Sequence, residues 1–226
     1  MTEDLSRYER RALPGTEPMH GRAVRVEPII DERHFADLAR AFEADPSRGL
    51  WRWLAYGPFE DRAAFLAFAR TTYLSADLRF HAIVPEASGR AEGVAALMRA
   101  DVANGVVEIG HVCLSPALQG TRAASEAFYL LARRVFDELG YRRYEWKCDD
   151  GNAPSKRAAA RLGFTPEGLF RQHMIVKGRN RDTAWFSILD GEWPRVKAGF
   201  EAWLQDGNFD AQGRQKETLA ARRDRA

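Results

Sequence analysis

The chain has 226 residues, 45% of them hydrophobic, enough for one large domain, or one domain with extensions, around a real core. Its 34 basic and 32 acidic residues nearly cancel to a formal charge of +2, which gives no argument for a nucleic-acid partner. No apolar run approaches the roughly 18 residues of a membrane span, the N-terminus lacks a signal-peptide core, and Cys113, Cys148 and the five scattered histidines show no metal-ligand spacing; the expected setting is the cytoplasm, with no membrane or metal partner.

Residues 1–22, rich in charge, Pro and Gly, read as an N-terminal extension. Over 23–29, Val24 and Val26 alternate with Arg25 and Glu27, which predicts the first strand. Asp31 caps a predicted helix to about Ala44, with Phe35, Leu38, Ala39 and Phe42 at helical spacing. A connector follows that holds Trp51, Trp53 and Tyr56 and ends at Gly57-Pro58-Phe59. These aromatics can plug the core or wall a substrate pocket. A second helix is predicted over 59–73 and strands over 80–84 and 91–98.

Val106, Val107, Ile109, Val112 and Leu114 predict a strand closed by Ser115-Pro116. From Ala124 the apolar positions fall on one helical face, which Gly140 stops. Between strand and helix lies Gln119-Gly120-Thr121-Arg122-Ala123-Ala124, small and hydrogen-bonding. Its outward N–H groups at a helix start form either an anion site suited to a phosphate-bearing cofactor or an ordinary connection. Tyr144, Trp146 and Cys148 alternate with Arg143, Glu145 and Lys147 in a predicted strand over 143–148. Asn152 is a good N-cap for a helix over 153–162 that ends at Gly163. Residues 164–176 and 183–189 read as a hairpin through Gly178-Arg179-Asn180, and a closing helix runs from Pro194 through Leu204. Residues 205–226 read as a charged tail, a solvated helix or disorder.

The order β-α-α-β-β-β-α-β-α-β-β, with a phosphate loop after the fourth strand, resembles the GNAT superfamily of acetyl-CoA-dependent N-acetyltransferases. The residues that carry the match are Glu108, Ser115-Pro116, Gln119 to Ala124, Asn152-Ala153-Pro154-Ser155 and Arg161-Leu162-Gly163-Phe164. Gly57-Pro58-Phe59, Arg181-Asp182-Thr183 and Trp193-Pro194 resemble the branch around the Rim-type N-terminal acetyltransferases. The resemblance implies an α/β GNAT fold over 23–204, with a mixed central sheet of about seven strands flanked by helices. It also implies acetyl-CoA as co-substrate, bound by Val112, Cys113, Leu114, Gln119, Gly120, Thr121, Arg122, Ala123, Ala124, Ser125 and Asn152. The pantetheine arm would lie beside Val112–Leu114 like an added strand. Arg122 stands where the family's loop usually has glycine; its guanidinium either pairs with a phosphate or crowds the cradle.

The implied reaction is direct transfer of acetyl to a primary amine, a protein N-terminus or a small molecule. Glu108 takes the base position of several family members, with an ordinary ion pair as its other reading and His111 as a rival base. Many GNAT enzymes place an acidic tyrosine where this chain has Ala159. The Rim-type pattern instead has a serine in the first turn of that helix, Ser155, as proton donor to the departing thiolate, or as a first-turn serine that only satisfies helix N–H groups. Trp51, Trp53 and Tyr56 would face the acceptor. The rival reading is an acyl-CoA-binding or interaction module that has lost catalysis. A homodimer stays open.

Overall fold

A computed structural model describes residues 4–226. Met19–His20 (β1), Val24–Pro28 (β2), Arg79–Pro85 (β3), Gly93–Asp101 (β4) and Val106–Leu114 (β5) pair antiparallel in sequence order. Arg143–Asp149 (β6) joins β5 in parallel. The hairpin of Thr165–Val176 (β7) and Arg179–Leu189 (β8) completes an eight-stranded sheet of order β1-β2-β3-β4-β5-β6-β8-β7. The sheet therefore has eight strands where about seven were expected. The extra one is β1, inside the presumed extension, where Met19 is buried and pairs with Val26.

The extension is also tied down further upstream. Arg11 N–H bonds Val102 O at 2.9 Å, and the Tyr141 hydroxyl donates to Ala12 O at 3.0 Å. The buried Glu126 carboxylate accepts the N–H groups of Arg22 and Ala23 at 2.8 and 2.7 Å. A Cβ at Gly21 would stand 2.6 Å from that carboxylate, so glycine is required there.

Helices cover both faces of the sheet, and alternation along the strands supplies an apolar residue to each. Phe35–Glu43 (α1) and Arg62–Thr72 (α2) pack on one face against Phe80, Ala82, Val84 and Cys113. Arg122–Arg133 (α3), Ala153–Leu162 (α4) and Trp193–Trp203 (α5) cover the other, against Val107, Ile109, Tyr144 and Trp146. Both α1 and α2 start later than expected. A 3-10 turn over Glu32–His34 precedes α1, and Asp61, accepting from Ala64 N–H, is the true cap of α2. The long helix after the Gln119–Ala124 loop finishes in a π-turn over Arg134–Glu138.

The expectation of a solvated or disordered tail fails. Asn208 is 1% exposed; its amide donates to Trp203 O and Glu217 O and accepts from Glu217 N–H. Phe209 stacks edge-on against Trp203 at 5.1 Å, and Leu219 buries itself at the start of Leu219–Arg223 (α6). The helix α6 comes so close to α5 that a Cβ at Gly199 would meet the Arg223 backbone at 2.6 Å. Charged residues dominate the segment's composition, yet Asn208, Phe209 and Leu219 anchor it. Among the described residues no helix is long and apolar enough to cross a membrane.

Candidate active site

The site is made by an irregularity in β5. Val94 pairs with Cys113, but Ala96 pairs with Gly110, so β5 carries one residue more than β4 over this stretch. His111 absorbs the extra length at φ +51, a conformation a non-glycine residue adopts only when its surroundings hold it there. The parallel ladder between β5 and β6 runs from Val106↔Arg143 to Ile109↔Trp146 and stops there. Beyond it the two strands part, leaving backbone of Gly110–Leu114 with no β6 partner and a passage between the faces of the sheet.

A cleft of about 240 Å³ occupies this gap and brings together Glu108, His111, Val112, Asn152 and Ser155. Glu108 is 5% exposed. Its Oε2 receives Arg99 Nη1 at 3.0 Å and Lys147 Nζ at 2.9 Å, while its Oε1 takes no hydrogen bond from any other described residue. Lys147 also pairs with Glu145 at 2.8 Å and lies over the Trp185 ring at 3.7 Å. Glu145 passes the chain of charges on to Arg143, and Arg143 to Glu167. Glu108 is thus both a cleft carboxylate and an ion-pair partner. His111 stacks on Tyr56 at 5.6 Å, with Nδ1 3.3 Å from the phenol oxygen, and burial pushes its pKa down, so a neutral imidazole stands beside Glu108.

Ser155 lies in the first turn of α4, where Asn152 Oδ1 caps its N–H at 3.2 Å. The Ser155 oxygen accepts the Trp146 indole N–H at 3.0 Å, which leaves the hydroxyl proton free to be donated. Burial pushes up the thiols of both Cys113 and Cys148, and the Ser155 hydroxyl opposes the shift at Cys148. Neither cysteine has the thiolate character of a nucleophile.

The Gln119–Ala124 loop opens onto a second, larger cavity of about 690 Å³, lined by Gly120, Thr121, Arg122, Ala124 and Ser125 together with Leu114. Thr121 caps α3, accepting Ala124 N–H at 3.1 Å and donating to Leu118 O at 2.8 Å. Gly120 has φ +73, and a Cβ there would point into open space. Arg161, from α4, donates to Ser125 Oγ at 3.0 Å and also lines the cavity. A polyanionic nucleotide fits such a place: a helix start, guanidinium groups and no carboxylate on the loop itself.

Other expected residues are placed differently. Arg122 lines the cavity, but its guanidinium is tied to the C-terminal segment. It bonds Leu204 O and Asp206 (2.7 Å to Oδ1) and lies over the Phe209 ring at 4.5 Å. Cys113 faces the α1–α2 core, and Ala123, in the first turn of α3, is buried in the core on the other face of the sheet. Gln119 sends its amide back to Leu114 O at 2.9 Å, bracing the loop from outside the cavity.

Of the aromatics, Trp53 lines the cleft and Tyr56 reaches it through His111. Trp51 does neither. It is 5% exposed, with ring centroids 5.0 Å from Phe59 and 5.3 Å from Phe42, and a Cβ at Gly57 would press on its ring at 2.8 Å. Sequence reasoning gave no site role to Arg99, Lys147, His173 or Arg181 on the cleft, although Arg181 carried part of the Rim-type resemblance, nor to Phe209 and Arg214 on the larger cavity. Lys147 had a signal: it shares strand parity with Glu145, the residue that pairs with Glu108 across the parallel ladder.

Residues 24–165 match a family model described as an acetyltransferase (GNAT) domain. The chain is 36% identical over 115 residues to the uncharacterized N-acetyltransferase p20 of Bacillus licheniformis, a stretch of 51% of this chain and 64% of p20. It is 30% identical over 105 residues to YdaF of Bacillus subtilis (strain 168), provisionally named a ribosomal N-acetyltransferase, over 46% of this chain and 57% of YdaF. The matched stretch therefore spans less than two thirds of either relative, and the likeness to YdaF agrees with the Rim-type resemblance. The fold superposes on a crystal structure of a GCN5-related N-acetyltransferase from Brucella melitensis with TM-score 0.95 at 47% identity, covering 97% of this chain and 100% of that one. The chain belongs to the GNAT family of acetyltransferases.

Proposed function

We propose that the protein transfers acetyl directly from acetyl-CoA to a primary amine across the gap between β5 and β6. The observation that carries this reading is the uncommitted Oε1 of Glu108 in the same cleft as the Ser155 hydroxyl, whose oxygen accepts from Trp146 and whose proton is left to donate. The larger cavity takes the nucleotide end of the co-substrate, and the unpaired edge of Val112–Leu114 takes its pantetheine arm. The acceptor enters from the opposite face, past Trp53.

Glu108 Oε1 accepts an N–H of the amine and orients its lone pair toward the thioester carbon. As the C–N bond forms and the C–S bond breaks, backbone N–H of the β5 bulge stabilises the carbonyl oxygen, and the Ser155 hydroxyl donates to the sulfur. Glu108 takes one proton from the amine nitrogen and Ser155 gives one to the thiolate; exchange with solvent then returns a proton to Ser155 and removes the one on Glu108, so the products are an amide and free CoA.

The charge of Glu108 is already matched by Arg99 and Lys147, so the cleft has little spare negative charge to hold an ammonium ion. This favours acceptors that supply free base unaided. At pH 7 roughly 10% of an α-amine with pKa near 8 is neutral, against less than about 0.1% of a lysine ε-amine. An α-amine, of a protein N-terminus or a small molecule, is the acceptor we assign. The same ion pairs are what favours the rival reading of a non-catalytic acyl-CoA-binding module.

Two measurements decide between them. Acetyl-CoA at a hundred times its Kd should stabilise the fold by about 2.7 kcal/mol in a thermal melt. An α-amine should then release free thiol, with an ε-amine far slower at pH 7. A melt shift without thiol release from any amine would leave the binding module. No shift at all would remove the co-substrate assignment.

A further inference from the structure

The acceptor cleft contains a cation that the protein itself does not satisfy. Arg181, on β8, lines the cleft half-buried, and its Nε is shut off from solvent with no hydrogen-bond partner. Its guanidinium makes no hydrogen bond or ion pair with any other described residue.

None of the nearby carboxylates pairs with it. Glu108 serves Arg99 and Lys147. Asp149 accepts Gly151 N–H at 2.8 Å, and Asp150 pairs with Lys156 at 2.8 Å. Asp182, next in sequence, accepts Gln172 N–H at 2.6 Å and the Asn180 amide at 2.9 Å. Those last bonds hold an irregular stretch of β7, where Phe170 pairs with Thr183 but Met174 already pairs with Arg181. The irregularity brings His173 to the same wall, its Nδ1 2.9 Å from Thr183 Oγ1. A guanidinium with open donors beside apolar Trp53 and Leu54 matches a planar anion on a small organic body.

Resting on the acetyl-transfer reading, we infer that the acceptor carries a carboxylate as well as its amine, and that Arg181 receives that carboxylate in the cleft. The carboxylate can be the α-carboxylate of a free amino acid or the acidic side chain of a peptide. Both present the same chemistry to the guanidinium. A cation held ready without an internal counter-ion costs the free protein little stability when removed, and it gains most when a charged partner shares its desolvated wall.

The test compares wild type with Arg181→Gln on matched acceptors: free amino acids against their amides, and a peptide amide beginning with Glu against one beginning with Gln. Acid and amide also differ in amine basicity, so the differential between the two proteins is what counts. The variant should raise KM for the carboxylate acceptors about ten- to hundredfold, the scale of a lost charge-assisted bond, and leave the neutral ones unchanged. Whichever acid–neutral pair shows the differential identifies the source of the carboxylate. Its melting temperature and its stabilisation by acetyl-CoA should match wild type. Equal effects on acid and neutral acceptors, or none, would overturn the assignment while transfer itself stands. If no amine turns over, the transfer reading falls, and binding decides the inference. N-acetylglycine should then stabilise wild type more than N-acetylglycinamide does, and the variant should lose that difference; equal shifts in both proteins would overturn it.

Discussion

Glu108 places a carboxylate in the middle of a sheet, and the residues around it show what that costs. A buried ion pair adds little net stability, but removing one partner strands the other charge. Glu108→Gln leaves Lys147, 7% exposed along its side chain, with only Glu145, so the fold should lose on the order of 1–3 kcal/mol, less than for a fully stranded charge. Turnover should fall roughly 10²–10⁴-fold, the range for a lost proton acceptor, and high pH should restore no more than about tenfold of it, because about 10% of an α-amine is already neutral at pH 7. Adding Lys147→Met to that variant separates the effects: melting should recover in part and turnover should not. Recovery of both would make Glu108 a structural residue only. Trp51 is the converse case. Trp51→Ala should cost about 3–5 kcal/mol as a core truncation and leave the acceptor KM unchanged, because the ring packs on Phe42 and Phe59 and does not meet the cleft. A raised KM with an unchanged melt would return it to the pocket.

At the scale of elements, the C-terminal segment has the largest untested consequence. Phe209 supports the Arg122 guanidinium on one side while Leu204 and Asp206 bind it on the other, so the segment sets where the first turn of α3 carries its charge. Phe209→Ala should weaken acetyl-CoA binding roughly two- to thirtyfold, the equivalent of a cation–π contact of about 0.5–2 kcal/mol. Calorimetry showing unchanged affinity would reduce the segment to a cap over α5. Nothing in the composition of 205–226 announced this, because three anchors among many charges do not make a periodic pattern. Elements with strong punctuation read well. The span of α4 matches its expectation because Asn152 caps it and Gly163, at φ +103, ends it. The bulge at His111 was invisible, since histidine does not advertise a positive φ, and so the opening between β5 and β6 could be placed only by resemblance. Arg122 was ambiguous for a related reason: its partners come from 82 and 84 residues away.

At the scale of the whole molecule, a sheet covered on both faces must bury whatever its strands carry, including His81 on β3. Burial pushes the His81 pKa from 6.5 to about 4, and it pushes His34 and His111 down as well. Between those two values the unfolded chain takes up protons that the native state refuses. Stability should therefore be full above about pH 6.5 and fall as the pH drops toward 4, with His81 alone contributing on the order of 3 kcal/mol. A His81→Leu variant should flatten that limb of the melting profile; an unchanged slope would mean the imidazole is protonated in place. The central claim is that the gap between β5 and β6 lets acetyl pass straight from co-substrate to amine, with Cys113 and Cys148 as bystanders. Intact-mass analysis tests it most directly, with acetyl-CoA added alone and then with an α-amine. The account predicts an unchanged protein mass in both samples and an acceptor heavier by one acetyl group in the second. An acetyl group on the protein that disappears when the amine is added would contradict it.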